Sequence, residues 1–160
     1  MKKSSTLFLK IAVFVLALLV LGVCFLAYAV TFGDALDEGH PTTLLAHPLL
    51  IAMYITVIPF MVALYQAFKI LLYIDQKKAF SEFSIKALKN IKICAYVISG
   101  IYFLSLPLFM RFAESEDAPG VMLMGLVLVG APLVIAVLSA LLQKLVQSAM
   151  DLKAENDLTV

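Results

Sequence analysis

Four stretches of the chain, residues 7–32, 49–74, 91–112 and 120–142, each run for more than 20 residues with no Asp, Glu, Lys, Arg or His in the middle third. About 20 apolar residues in a helix cross a hydrocarbon core of roughly 30 Å. Lipid offers a peptide group no hydrogen-bond partner, so such a segment must satisfy its backbone internally, as a helix does. The expected fold class is an all-α membrane protein, a four-transmembrane-helix bundle forming one integral membrane domain over residues 1–160. Composition agrees: 63% of the residues are hydrophobic and 14% are charged, against about 25% charged in a typical soluble domain. The mean hydropathy is +1.03.

The first run follows a short basic segment and contains Lys10 near its start, whose stem can reach the headgroups. A cleaved signal peptide is the rival reading, since Ala27-Tyr28-Ala29 has the small-x-small form of a cleavage site. Signal cores run for about 7–15 apolar residues, so this longer run is expected to be retained as a span. A lipoprotein site at Cys24 is disfavoured because Val23 stands where a small residue is needed. Residues 33–47 form an acidic loop with Asp34, Asp37, Glu38, His40 and His47 and no Lys or Arg. Pro59 and Pro107 fall inside runs, and membrane helices tolerate proline there with a bend. Gly125 and Gly130 in the fourth run permit close helix approach, though their five-residue spacing is not the usual dimerisation pattern. Trp is absent, so any interfacial belt is built from Tyr and Phe.

Between the second and third runs lies the charged segment 75–90, with Lys77, Lys78, Lys86 and Lys89. Ser81 suits an N-cap, and Glu82 suits the positive end of a helix dipole. From there Phe83, Ala87, Leu88, Ile91 and Ala95 recur at helical spacing, beside a stripe of Lys86, Lys89 and Lys92. One continuous helix is expected, amphipathic at the membrane surface and then spanning. A second outer loop holds Glu114, Glu116 and Asp117. The fourth run is expected to continue as helix towards Met150, followed by a polar tail, residues 151–160.

Charge sets the orientation. Of the 12 basic residues, Lys2, Lys3, Lys10, Lys69, Lys77, Lys78, Lys86, Lys89, Lys92, Lys144 and Lys153 fall on one side and Arg111 alone on the other. The positive-inside rule places both termini in the cytoplasm, N-in/C-in, in a multi-pass membrane protein. The candidate docking and lipid-contact residues are Lys77, Lys78, Lys86, Lys89, Lys92, Glu155, Asn156 and Asp157. Anionic lipid attracts each such lysine by about 1 kcal/mol near the surface.

Other chemistry finds little support. The outer carboxylates and imidazoles match no metal spacing and read as solvated loops. Cys24 and Cys94 belong to opposite ends of their runs and are expected to be free, buried and unreactive. The intramembrane polar residues Thr56, Tyr65, Gln66, Ser99, Tyr102, Ser105, Ser139 and Gln143 are expected to bond to neighbouring helices. Lack of mid-span charge argues against a charge-coupled transporter. No nucleophile–base pair, phosphate loop or zinc spacing appears, so neither catalysis nor a cofactor is expected, nor direct nucleic-acid binding.

Two segments carry a family resemblance: Ala79-Phe80-Ser81 leading into Leu88-Lys89-Asn90-Ile91-Lys92, and Glu155-Asn156-Asp157-Leu158-Thr159. With the four spans they resemble the bacterial membrane family labelled domain of unknown function 2975, the YoaS-like proteins, over nearly the whole chain. Many members carry Ile where Val160 stands. The family has no established activity. Its members are often encoded beside a small helix-turn-helix regulator, which implies by association a cytoplasmic partner of that type. The leading expectation is a non-enzymatic regulatory membrane protein that contacts lipid and docks such a partner. The alternative is a small transporter, channel or export accessory acting as a homo-oligomer.

The orientation is testable by thiol labelling in a background lacking Cys24 and Cys94. Cysteines replacing Asp37 or Glu116 react with an impermeant reagent in intact cells, and one replacing Lys78 reacts only after permeabilisation. Labelling at position 78 in intact cells overturns the orientation.

Overall fold

The computed structural model describes residues 3–36 and 43–159, with residues 34–36 and 43–46 described by their backbone alone. It contains four α-helices, α1 (Lys3–Leu36), α2 (Thr43–Asp75), α3 (Glu82–Ser115) and α4 (Pro119–Leu158). All four are long and apolar enough to cross a membrane. Pro48, Pro59, Pro107 and Pro132 lie within helices, as lipid-spanning segments allow. α3 is continuous from Glu82, so Lys86 and Lys89 lie on the same element as the third span, while Lys77 and Lys78 lie in the turn before it. Helix occupies part of the expected 33–47 loop at both ends, and Asp37, Glu38, His40 and Pro41 lie outside the described residues. α4 exceeds its expected end, reaching Leu158, so most of the polar tail is helical. Lys153, Ala154 and Glu155 are strong helix formers, and Gln147 donates to Asp151 at 3.1 Å one turn on.

The helices pack in chain order, α1 on α2, α2 on α3 and α3 on α4, with no other backbone approach among the described residues. The bundle is therefore open between α1 and α4. Each helix runs antiparallel to the one before it. The start of α1, the α2–α3 turn and the end of α4 consequently share one side of the molecule.

α1 has a single packed seam. Its less exposed residues are Thr6, Lys10, Val13, Ala17, Val20, Cys24, Ala27 and Thr31, alternating by four and three. This 3.5-residue period keeps one stripe facing a partner along the whole helix, and most of its members are small enough for close approach. The Tyr54 hydroxyl of α2 donates to the Cys24 carbonyl at 3.0 Å across it. Large residues such as Phe14 and Phe25 point away, as lipid-facing residues do.

α3 is the central helix, with a third of its apolar window buried (33%) against 6% for α1. Ile98, Tyr102 and Phe109 form a core with Leu49 and Phe60 of α2 and Val121, Leu128 and Val129 of α4. Polar pairs cross both of its interfaces. The Thr56 and Tyr102 hydroxyls share a hydrogen bond of 2.9 Å, and the Ser99 hydroxyl donates to the Val129 carbonyl at 2.9 Å. α4 approaches closely at Gly125, where an added Cβ would lie 2.9 Å from Cγ of Phe109.

The two short turns use the same closure. After α2, Lys78 N–H bonds to Tyr73 C=O at 2.8 Å and Lys77 N–H to Ile74 C=O at 3.1 Å. After α3, Ala118 N–H bonds to Ala113 C=O at 2.9 Å and Asp117 N–H to Glu114 C=O at 3.4 Å. These are Schellman motifs, in which a left-handed residue turns the chain back onto the last carbonyls. Lys77 (φ 57°) and Asp117 (φ 49°) occupy the left-handed positions. Ser81 sits at the N-cap of α3 as expected, but its hydroxyl donates back to the Lys78 carbonyl at 2.8 Å and caps no helix N–H. The turn's own carbonyl competes for that hydroxyl and wins.

Lys77→Gly removes the steric cost of the left-handed residue and is expected to stabilise the protein by about 1 kcal/mol. Gly125→Ala presses a methyl into Phe109 and is expected to destabilise by about 1–3 kcal/mol. Unfolding titrations in mixed micelles measure both.

Candidate functional site

The basic end is built on the α2–α3 turn. The Tyr73 and Phe83 rings meet at 5.9 Å between centroids, fixing the end of α2 against the start of α3. Lys77 and Lys78 are exposed in the turn, and Lys86 and Lys89 are exposed on the first turns of α3. Lys92 differs, being only partly exposed. Three-residue steps on a 3.6-residue helix drift backwards by about 60° each, so the stripe rotates towards the packed face by the time it reaches Lys92. Five of the expected residues thus share one end, four of them exposed.

Glu155, Asn156 and Asp157 are exposed near the end of α4 on the same side of the molecule. The structure does not bring them onto the lysines. The salt bridge among the described residues joins Lys10 to Asp75, and none links the tail to α3. From Asp151 to Thr159 every residue is exposed. The tail is therefore a solvent-exposed helical arm. Its carboxylates lie at the negative end of the α4 dipole, where they are unfavourable.

The contacts made by Thr6 and Lys10 at this end went unrecognised in the linear chain. Lys10, expected to reach towards headgroups, pairs instead with Asp75 at the end of α2. Thr6, one turn earlier, is 1% exposed. The Lys10 ammonium first, and then the Thr6 hydroxyl, hold the Asp75 carboxyl below the usual carboxylate range. The signal for this contact was the 3.5-residue row of small or polar residues in α1, of which Thr6 and Lys10 are the first members. Gln143 of α4 donates to the Ile85 carbonyl of α3 at 3.3 Å. Of the other intramembrane polar groups, Ser105 donates to Ile101 in its own helix at 2.9 Å. Tyr65 is exposed, with the Lys69 ammonium 4.7 Å from its ring centroid.

Two further features complete this end. Ser84, on the buried face of α3, is 2% exposed, and its hydroxyl has no hydrogen-bond partner among the described residues. An apolar cleft of about 520 Å³ is lined by residues of all four helices, among them Leu9, Leu16, Leu71, Leu88 and Leu142. At the opposite end Glu114 and Asp117 edge a shallow depression with Met110 and Met122. Among the described residues no three His, Cys, Asp or Glu side chains converge as metal ligands would. Cys24 is a buried free thiol, and Cys94 is a free thiol only half-buried, more open than expected.

Four lipid-length helices, short antiparallel turns and charged groups gathered at their ends define a four-span α-helical membrane protein. The chain belongs to the family described as protein of unknown function (DUF2975), which matches residues 31–160. It is 46% identical over 160 residues to the uncharacterized membrane protein YoaS of Bacillus subtilis (strain 168), covering 100% of both chains. No solved structure matches it.

The Lys10–Asp75 pair makes a signed prediction. A depressed carboxyl contributes stability above the ordinary carboxylate range and loses it as pH falls through the depressed value. The wild-type α1–α2 contact therefore weakens below about pH 4, and Asp75→Asn abolishes that acid limb. Lys10→Met alone destabilises more than Lys10→Met with Asp75→Leu, because the single change leaves a carboxylate unpaired at the membrane surface. Disulfide trapping between cysteines placed on α1 and α2 reads both effects.

Proposed function

We propose that the protein is a non-enzymatic docking protein of the bacterial plasma membrane, oriented with both termini in the cytoplasm. It presents the lysines of the α2–α3 turn and early α3, and the arm of α4, to a cytoplasmic regulator of helix-turn-helix type. The observation that supports this best is the arm itself. α4 has 40 residues, about 60 Å at 1.5 Å per residue, roughly twice the hydrocarbon thickness. Its last turns carry exposed Leu152 and Leu158 beside Glu155, Asn156 and Asp157. A helix end that leaves its apolar residues exposed and gathers carboxylates at its negative pole gains from a cationic, partly apolar partner. The nearby lysines repel such a partner's basic groups and attract its acidic ones, which sets how it approaches. Anionic lipid would hold the lysines and repel the arm, so lipid contact accounts for half of this surface. The helix-turn-helix identity of the partner comes from the family resemblance alone.

Lys86→Glu with Lys89→Glu is expected to lower capture of the helix-turn-helix protein by roughly tenfold or more, with membrane insertion unchanged. Deletion of residues 155–160 has the same effect. If both variants keep the partner and lose only affinity for anionic liposomes, the lysines are lipid anchors and the docking role is wrong.

A further inference from the structure

Two glycines of α4 have different surroundings. At Gly125 an added Cβ would meet Phe109, whereas at Gly130 it would meet nothing within 4 Å. Five residues turn a helix through about 140° beyond a full circle, so the two glycines face different sides. Only the first serves packing within the chain. The side of α4 turned towards α3 is marked by buried Gly125, Ala136 and Ser139. The side turned away carries a second regular row. Val127, Val134, Leu138, Leu141, Leu145 and Leu152 in it are each more than half exposed, and exposed Ala131 and Ser148 fill its remaining places. The steps alternate four and three, the 3.5-residue period that holds a seam against another helix over many turns.

Inside the bilayer, lipid covers such a row and no partner is required. Gln143, bonded to the Ile85 carbonyl next to Lys86, marks the level where α4 leaves the hydrocarbon. The row continues past that level, and there Leu145 and Leu152 are 64% and 67% exposed. A helical end of a few turns is marginal by itself in water and gains stability by burying an apolar face. Among the described residues α3 is the only helix whose backbone approaches α4, and it lies on the other side.

We propose that this face of α4 pairs with the same face of a second copy, in parallel about a two-fold axis normal to the membrane. Copies inserted in one orientation bring equivalent residues together, so Leu138, Leu145 and Leu152 of the two chains meet at the axis. Charge permits this pairing. The row is flanked by Lys144 and Asp151 on one side and by Leu142, Ala149 and Asn156 on the other. In a parallel pair each residue of the first set lies beside the one five places further on in the second copy. Lys144 therefore meets Ala149, and Asp151 meets Asn156, whose amide can donate to the carboxylate. Like charges oppose one another only at Glu155, where the apolar row ends. Residues 127–152 extend about 39 Å, and a seam about 10–12 Å wide covers roughly 400–500 Å² on each copy. That is the area of a weak pair, with the cost of association lowered because the membrane already fixes plane and orientation. The pairing goes beyond the docking role and leaves the lysines of the α2–α3 turn open.

The test uses the full chain in proteoliposomes, with Cys24 and Cys94 replaced by Ala and one cysteine placed in turn at each position from 144 to 153. Interchain disulfides formed on mild oxidation are expected to peak at positions 145, 148 and 152, where the backbones come within bridging distance. Yields are expected to rise with the protein-to-lipid ratio. Leu152→Glu, at an exposed position, is expected to lower the yield of the Leu145→Cys chain roughly tenfold. Glu155→Leu removes the like-charge contact and is expected to raise it. Equal yields at all ten positions mean random collision of lipid-covered helices and overturn the pairing. So does a maximum on the side facing α3, or a yield unchanged by Leu152→Glu. The cysteine scan decides the matter even where a further variant fails to fold. Deleting residues 155–160 removes the tail required for docking but leaves the row, so the Leu145→Cys disulfide is expected to persist. Partner capture and pairing are thereby read apart, and either can fail alone.

Discussion

A peptide group in hydrocarbon has no bond available except to another peptide group, and this constraint shapes the whole molecule. It makes each run a helix and then removes the usual reason for helices to associate, since lipid tails are as apolar as leucine. What remains is fit and a few polar contacts. The structure uses both. α1 meets α2 through its narrow row of small residues, with Lys10 and Asp75 joined at one end. α3 holds α2 through the Thr56–Tyr102 pair, and holds α4 through Ser99 and the close fit of Phe109 against Gly125. The larger aliphatic and aromatic side chains mostly turn outward, as the solvent around them permits.

Run length made the four helices legible, because hydropathy reports the solvent a segment requires. The continuity of Glu82 into the third span was legible for a related reason, since its apolar positions keep helical register across the change from water to lipid. What could not be read was which helix faces which. That depends on neighbours supplied by the fold: Asp75 for Lys10, Ile85 for Gln143, the Lys78 carbonyl for Ser81. The same limit explains Lys92, whose position in a stripe was clear while the direction of the packed face was not. The row of small residues in α1 was visible in principle, but uniform hydrophobicity on both sides hides it from any measure based on hydropathy.

The candidate site divides along the same line. The lysines and the tail were identified by charge alone, and the structure places them on one side of the molecule with no salt bridge between them among the described residues. Ser84 and the apolar cleft carry no charge and have no distinctive spacing, so only tertiary structure reveals them. The hydrocarbon-lined cleft and the exposed acidic arm are surfaces of opposite character at one end of the molecule.

Packing in strict chain order has a consequence for how the protein is made. Each helix finds its neighbour in the segment that precedes it, and among the described residues no interface waits for a distant part of the chain. Low sequence separation between partners favours rapid assembly. A nascent chain can thus complete α1 against α2 while α3 is still being synthesised, and close α3 on that pair before α4 leaves the ribosome. The last helix to emerge joins the most extensive interface, so insertion ends by securing what came before it.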